Sequence, residues 1–146
     1  MRVNWRVKVL NKKMEKISVR IKDEVDIYFI QDEVLKILNP IGFNLVEVNK
    51  VKTIVSELAF NIIKYAEKGF IRVTRIEDRG KIGIQIIAVD RGSGISNIEE
   101  AMKDNFSSSG TLGLGLPGIK RMADYLKVNS SPSEGTEVIV KCWKEL

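Results

Sequence analysis

Residues 82–89 put Ile82, Ile84, Ile86 and Ala88 on one face of a strand, and the next residue on that face is a carboxylate, Asp90. A half-buried strand alternates apolar and polar residues. An acid that continues the apolar side therefore sits at the margin of a core. A carboxylate there needs a hydrogen-bond donor, because desolvating it alone is costly. The run continues as Asp90-Arg91-Gly92-Ser93-Gly94-Ile95. Gly92 and Gly94 let the backbone close on a flat ligand, and the 6-amino group of adenine would supply the missing donor. The plain alternative is an Asp that opens a turn before Gly92.

A second glycine block follows, Gly113-Leu114-Gly115-Leu116-Pro117-Gly118. Its spacing matches the dinucleotide fingerprint, but that motif needs a strand just before it inside a parallel βαβ unit. Here the preceding residues are Phe106-Ser107-Ser108-Ser109-Gly110-Thr111, a loop. What survives is a glycine-rich segment opening a helix. Its backbone N–H groups can cradle phosphates, and the loop can close as a lid. A simple flexible loop is the competing reading.

Upstream, Glu57, Asn61 and Lys64 fall within about 60° of one another on a helix. That is also what the polar margin of any amphipathic helix looks like. The functional reading is a carboxylate that can accept a proton from an attacking hydroxyl. Beside it lies an amide oxygen suited to Mg²⁺ and an ammonium that can meet a phosphate. Near the C-terminus, Gly135-Thr136 opens the last strand pattern.

The rest of the chain supplies a scaffold. Ile17, Val19 and Ile21 alternate as a strand. Asp23 caps a helix over about 24–38, with Val25, Phe29, Val34, Leu35 and Leu38 on its apolar side, and Asn39-Pro40 stops it. A longer helix covers about 46–67, with a core stripe of Val48, Val51, Val55, Leu58, Ala59, Ile62 and Ala66, ended by Gly69. Residues 70–77 and 82–89 form an antiparallel hairpin around Asp78-Arg79-Gly80-Lys81. Residues 91–116 are mostly loop, with a short helix near 97–103. A helix covers about 117–126, with Pro117 in its first turn. Strands follow at 126–129 and 136–143, around a turn at Pro132-Ser133-Glu134-Gly135. This order predicts an α/β (α+β) two-layer sandwich: a mixed, mostly antiparallel sheet with helices on one face.

The 146 residues contain no histidine and one cysteine. Ser-His-Asp and Cys-His catalysis, the usual zinc sites and an internal disulfide are thereby excluded. Cys142, in an apolar strand pattern, reads as a buried structural thiol. The net charge of +5 does not describe a nucleic-acid face. Arg2, Arg6, Lys8, Lys12, Lys13 and Lys16 against Glu15 account for all of it, and residues 17–146 are neutral. No basic and aromatic interleaving accompanies it. No run reaches the roughly 20 apolar residues of a membrane span, and no signal peptide opens the chain, so the expected location is cytoplasmic. The expected division is a basic extension at 1–16 and one domain at 17–146. Val3, Trp5, Val7 and Val9 alternate within the extension. It pairs with a sheet edge or another chain, or is an accessory preceding an alternative start at Met14.

Together these blocks resemble the GHKL ATP-binding superfamily with its Bergerat fold. Glu57-Leu58-Ala59-Phe60-Asn61 resembles the N box, Asp90 to Ile95 the first glycine box, Gly113 to Gly118 the second, and Gly135-Thr136 the last. Ser56 to Ile62 with Tyr65-Ala66, Asn105 to Gly110, and Gly115 to Arg121 are most similar to the small anti-sigma-type serine/threonine kinases, of the stressosome switch-kinase type. The resemblance implies ATP and Mg²⁺ as cofactors, with Glu57 as catalytic base and Asn61 as Mg²⁺ ligand. It implies a nucleotide-binding set of Asn61, Asp90, Gly92, Gly94, Ile95, Gly110, Gly113, Leu114, Gly115, Leu116, Gly118 and Thr136, to which Lys64 is added on its charge. Asp90 would read adenine, supported by Thr136, and 110–118 would be the phosphate lid. It further implies STAS-domain substrates and binding to a PP2C-type phosphatase. Two alternatives remain: an anti-sigma-like binding module whose nucleotide site tunes its shape, and a histidine-kinase-type catalytic domain.

Overall fold

The computed structural model describes residues 15–66, 68–92, 102, 115–131 and 134–145. Their elements are β1 (Lys16–Ile21), α1 (Glu24–Glu33), α2 (Leu35–Ile41), α3 (Leu45–Ala66), β2 (Gly69–Asp78), β3 (Lys81–Asp90), α4 (Gly115–Met122), β4 (Tyr125–Ser131) and β5 (Gly135–Trp143). The strands form one sheet in the order β1-β2-β3-β5-β4. The expected sandwich is present, and all four strand pairings are antiparallel. The 78–81 turn has Arg79 at φ 52 and Gly80 at φ 81. Two positive φ values in a two-residue connection match the twist of the flanking strands.

The register arranges the inner face in rows. Ile17, Val73, Ile86, Val140 and Leu126 form one row, and Val19, Ile71, Ala88, Val138 and Val128 the next. The third row runs Ile21, Gly69, Asp90, Thr136, Ser130. The first two rows are wholly apolar and belong to the core or pack against it. The third turns polar at Asp90 and is the border of that core.

Helix α3 lies against β1, β2, β3 and β5. Its buried residues are Val48, Val51, Ile54, Val55, Glu57, Leu58, Ala59 and Ile62. It starts at Leu45, because Asn44 and Glu47 cap it reciprocally. Asn44 Oδ1 accepts from Glu47 N and Glu47 Oε1 accepts from Asn44 N, both at 2.8 Å. Each bond satisfies an N–H that a helix start leaves open. Gly69 does not end this helix; it opens β2. A Cβ on Gly69 would strike the Val89 carbonyl and come within 3.0 Å of Ile62 Cγ2, so a glycine is what lets α3 sit down on the sheet beside Asp90.

Three further expectations are corrected. The single helix over 24–38 is two helices meeting at Val34. Val25 and Phe29 are exposed, while Ile27, Ile30, Val34, Ile37 and Leu38 are buried. Pro40 does not stop α2 but lies within it; the stop is Gly42, in the left-handed region at φ 89. Pro40 deletes only the bond to the Lys36 carbonyl, and both residues are exposed, so water can replace it. Helix α4 covers 115–122, because residues 125–131 extend as a strand. Strand β1 starts at Lys16, and the Glu15 carbonyl before it accepts from Arg75 N at 2.8 Å. The expected short helix near 97–103 lies outside the described residues, apart from Met102.

Candidate nucleotide-binding site

Asp90 is half-buried at the end of β3. Its Oδ1 accepts from Gly92 N at 2.9 Å and from Thr136 N at 3.2 Å. Neither bond uses Oδ2, which keeps its lone pairs for a donor. This makes a carboxylate fixed by backbone on one oxygen and open on the other.

Glycines set its surroundings. A Cβ on Gly92 would strike the Tyr65 carbonyl and approach Ala66 Cβ to 2.7 Å, so the chain leaves β3 in direct contact with the end of α3. A Cβ on Gly135 would strike the Asp90 carbonyl and approach Arg91 Cα to 2.7 Å. Gly135 also has φ +87, a conformation side chains resist. The sequence reading placed Gly135 only as a strand start. Its signal was the Gly-Thr pair itself, but the reason for glycine appears only when Asp90 is laid beside it.

Sequence reasoning missed Ser130. Its hydroxyl donates to the Gly135 carbonyl at 3.0 Å and lies 2.8 Å from Thr136 Oγ1. Ser130, Thr136 and Asp90 are thus adjacent on three strands, and only the pairing of β4 with β5 brings Ser130 in.

On α3 the residues Glu57, Asn61 and Lys64 grade outward. Glu57 is 2% exposed, Asn61 is half-buried and Lys64 is exposed. Glu57 is therefore inside the core stripe rather than on its flank. Lys64 Nζ lies 5.6 Å from the centre of the Tyr65 ring. Gly115, Leu116 and Gly118 are buried in the first turn of α4, and Gly115 has φ 51. Pro117 fits there because the first turn of a helix has no partner for its N–H. Helix α4 packs against α3 and β4. Gly94, Ile95, Gly110, Gly113 and Leu114 lie outside the described residues.

The residues present suit a nucleotide. Asp90 offers an acceptor at a glycine-lined edge, against which the end of α3, the helix that carries Glu57 and Asn61, is packed. Among the described residues, no cluster of three or more His, Cys, Asp or Glu can hold a metal alone. Mg²⁺ on Asn61 would therefore rely on phosphate oxygens and water, its usual habit.

A separate cleft of 370 Å³, lined by Lys50, Val51, Met122, Cys142 and Trp143 among others, opens at the opposite end of β3 and β5. Burial, helped by the charge of Asp124, pushes the Cys142 thiol up to about 12. That is an inert thiol, not a nucleophile. No described helix is long and apolar enough to cross a membrane.

Residues 22–142 match the family model of the histidine kinase-like ATPase domain. The chain belongs to this family. It is 45% identical over 125 residues to the serine/threonine-protein kinase RsbT of Bacillus subtilis, covering 86% of this chain and 94% of that one. It is 36% identical over 102 residues to the anti-sigma F factor of Clostridium beijerinckii, 65% of this chain and 70% of the relative. The anti-sigma F factor of Clostridium kluyveri is 31% identical over 118 residues, 77% and 82% of the two chains. Within the family the chain groups with the RsbT-type serine/threonine-protein kinases.

Proposed function

We propose that the chain is an ATP- and Mg²⁺-dependent partner-switch kinase that phosphorylates serine or threonine on STAS-domain proteins and also binds a PP2C-type phosphatase. The observation that carries the nucleotide reading is Asp90, held at Oδ1 by two backbone N–H groups, neither of which uses Oδ2. The similarity to RsbT supports the acceptor class.

In this proposal Asp90 accepts from the adenine 6-amino group, with Thr136 beside it. Gly92 and Gly94 let the backbone lie against the base, with Ile95 alongside. The N–H groups at the start of α4, from Gly115, Leu116 and Gly118, face the phosphates. Gly110, Gly113 and Leu114 complete the lid. Lys64 extends from α3 toward the triphosphate. Asn61 offers its amide oxygen to Mg²⁺, which when bound neutralises charge on the β- and γ-phosphates. Glu57 accepts the proton of the incoming hydroxyl. The hydroxyl oxygen then bonds to the γ-phosphorus as its bond to the bridging oxygen breaks and ADP leaves. Phosphoryl transfer asks mainly for positioning and charge neutralisation, which these residues can provide.

The test is incubation with γ-labelled ATP and purified STAS-domain proteins. Acid-stable label on a serine or threonine is expected. Tight ATP binding with no label on any partner would favour the second reading, a sequestering module, to which the anti-sigma F factor relatives point. Acid-labile label would instead indicate histidine-kinase chemistry. Cytoplasmic location is part of the proposal and is checked by fractionation.

A further inference from the structure

We propose that the outer face of the sheet, centred on Arg72, is a docking surface for a protein partner that presents carboxylates around an apolar contact. The proposal stands apart from the nucleotide reading, because the Asp90 row lies on the opposite face of the sheet.

The helices pack against one face of the sheet. The buried apolar side chains of the strands, such as Ile71, Ile86 and Val140, belong to that face. On the other face the middle row runs Ser18, Arg72, Ile87, Ile139, Lys127. Ile87 and Ile139 are only half-buried there. Beside them Val89 is half-buried and Phe70 is exposed. An apolar strip left to solvent in the middle of a sheet marks a contact surface.

The rows on either side add Lys16 and Lys141, then Arg20 and Glu137. With Arg72 and Lys127, five cations border the strip against one carboxylate, and Glu137 already accepts from Asn129 Nδ2 at 3.1 Å. Residues 17–146 are neutral in sum, so this is a segregation of charge. Helix α1 holds Glu24, Asp26, Asp32 and Glu33 and no cation. Arg72 is the centre of the cationic face. Its guanidinium carbon lies 5.7 Å from the centre of the Phe70 ring. Its Nε is buried without a hydrogen-bond partner, and among the described residues it takes part in no ion pair. A carboxylate would satisfy that donor with a charge-assisted bond.

Charge selects the occupant. Residues 1–14 of this chain hold Arg2, Arg6, Lys8, Lys12 and Lys13 and no acid, so this face repels them. A second copy placed face to face would set cations against cations. A nucleic-acid strand needs open aromatic faces for its bases. Here Phe70 already carries Arg72, and the Tyr125 ring carries Lys141 Nζ at 4.9 Å. A protein surface with Glu or Asp around Leu, Ile or Val matches both the charge and the strip.

The probe is a soluble peptide that alternates Glu with Leu and Val, titrated into the isotope-labelled full chain. Amide shifts locate it and calorimetry gives its affinity. Shifts are expected on β2, β3 and β5. Binding should persist in salt that screens free charges, because the apolar strip contributes. Arg72→Gln should weaken it about tenfold, the size of one charge-assisted hydrogen bond. Lys127→Glu, at an exposed position on β4, should weaken it about threefold. The same peptide with Lys in place of Glu should not bind. No binding of the acidic peptide, or shifts confined to other elements, overturns the proposal. So does an affinity that neither substitution changes. Should R72Q fail to fold, K127E carries the test alone. Tighter binding of a single-stranded oligothymidylate would assign the face to nucleic acid and overturn the proposal. Self-association in sedimentation that R72Q abolishes would assign it to a second copy, through its acidic α1. Peptide binding that appears only after residues 1–14 are deleted would assign it to that segment. Either of these results overturns the proposal too.

Discussion

At the scale of single residues, Asp90 carries the sharpest consequence. Its two oxygens do different work: Oδ1 ties the start of β5 and the Gly92 turn, and Oδ2 stays open. Asp90→Asn must keep its one oxygen on the backbone donors, which turns its NH₂ toward the pocket. A donor then faces the adenine amino group. ATP affinity should fall by about 1–3 kcal/mol with the fold retained, measured by calorimetry and circular dichroism. Unchanged affinity would make Asp90 purely structural. Glu57 makes the complementary case. Glu57→Gln preserves shape in the core but removes the proton acceptor. Phosphoryl transfer should drop by about 10²–10⁴-fold while ATP binding stays within about twofold, less than 0.5 kcal/mol. A Gln variant that labels its partner at the normal rate would remove Glu57 from the chemistry.

At the scale of elements, two junctions decide whether the site forms. Gly135 opens β5 where a Cβ would collide with Asp90 and Arg91 at a positive φ. Gly135→Ala must therefore push β5 from β3 at the row that holds Asp90. We expect a stability loss of about 1–3 kcal/mol in urea unfolding, with ATP binding lost beyond what the stability change accounts for. The other junction is the start of α1. Asp26 Oδ2 accepts from Lys22 N at 2.8 Å and Asp23 N at 3.0 Å. The Asp23 and Lys22 N–H groups hold the Asp26 carboxyl below its usual 3.8. A lowered carboxyl stabilises the fold above its unfolded value and loses that contribution as pH falls through the folded one. Because solvent screens the Asp26 carboxyl at the helix start, Asp26→Asn should cost only a few tenths of a kcal/mol at pH 7. The gap to wild type should close as pH falls through the lowered value of the folded carboxyl, where it is uncharged in both states; a gap that persists below it would mean the charge is irrelevant. Elements also explain what periodicity could not settle. In 24–38 the apolar residues offer two stripes, Val25 with Phe29 and Ile27 with Ile30. Both have helical spacing, and only the sheet beneath chooses the second. The hairpin of β2 and β3 was legible because its turn and its alternation agree. The break at Val34 was not, since no glycine or proline marks it.

At the scale of the whole molecule, the site was legible as blocks and not as a surface. Asp90, Gly92 and Thr136 stood out as motifs; the register pairs Asp90 with Thr136, and Gly92 N donates to the Asp90 carboxylate. Ser130 carries no motif of its own. Its part comes from a strand pairing that local sequence does not encode. Glu57 was legible as a polar residue near a core stripe, yet its burial depends on how α3 seats over Gly69 and β3. Charge distribution gives the last prediction. The net +5 resides in residues 1–16, while the family match spans 22–142 and, among the described residues, the first strand runs Lys16–Ile21. Trimming to Met14 removes Arg2, Arg6, Lys8, Lys12 and Lys13 but keeps Glu15, whose carbonyl bonds Arg75 N. The trimmed chain is expected to unfold at the same urea midpoint and to bind ATP within about twofold of the full chain, because the family match begins only at residue 22. Any weak, salt-sensitive attraction of the full chain to polyanions should vanish with those residues, because such binding scales with the number of neutralising cations. Trimming through Lys16 instead would delete the Glu15 bond and the first residue of β1, so its urea midpoint should fall. Equal midpoints for the two trimmed chains would show that the domain begins after β1 has started.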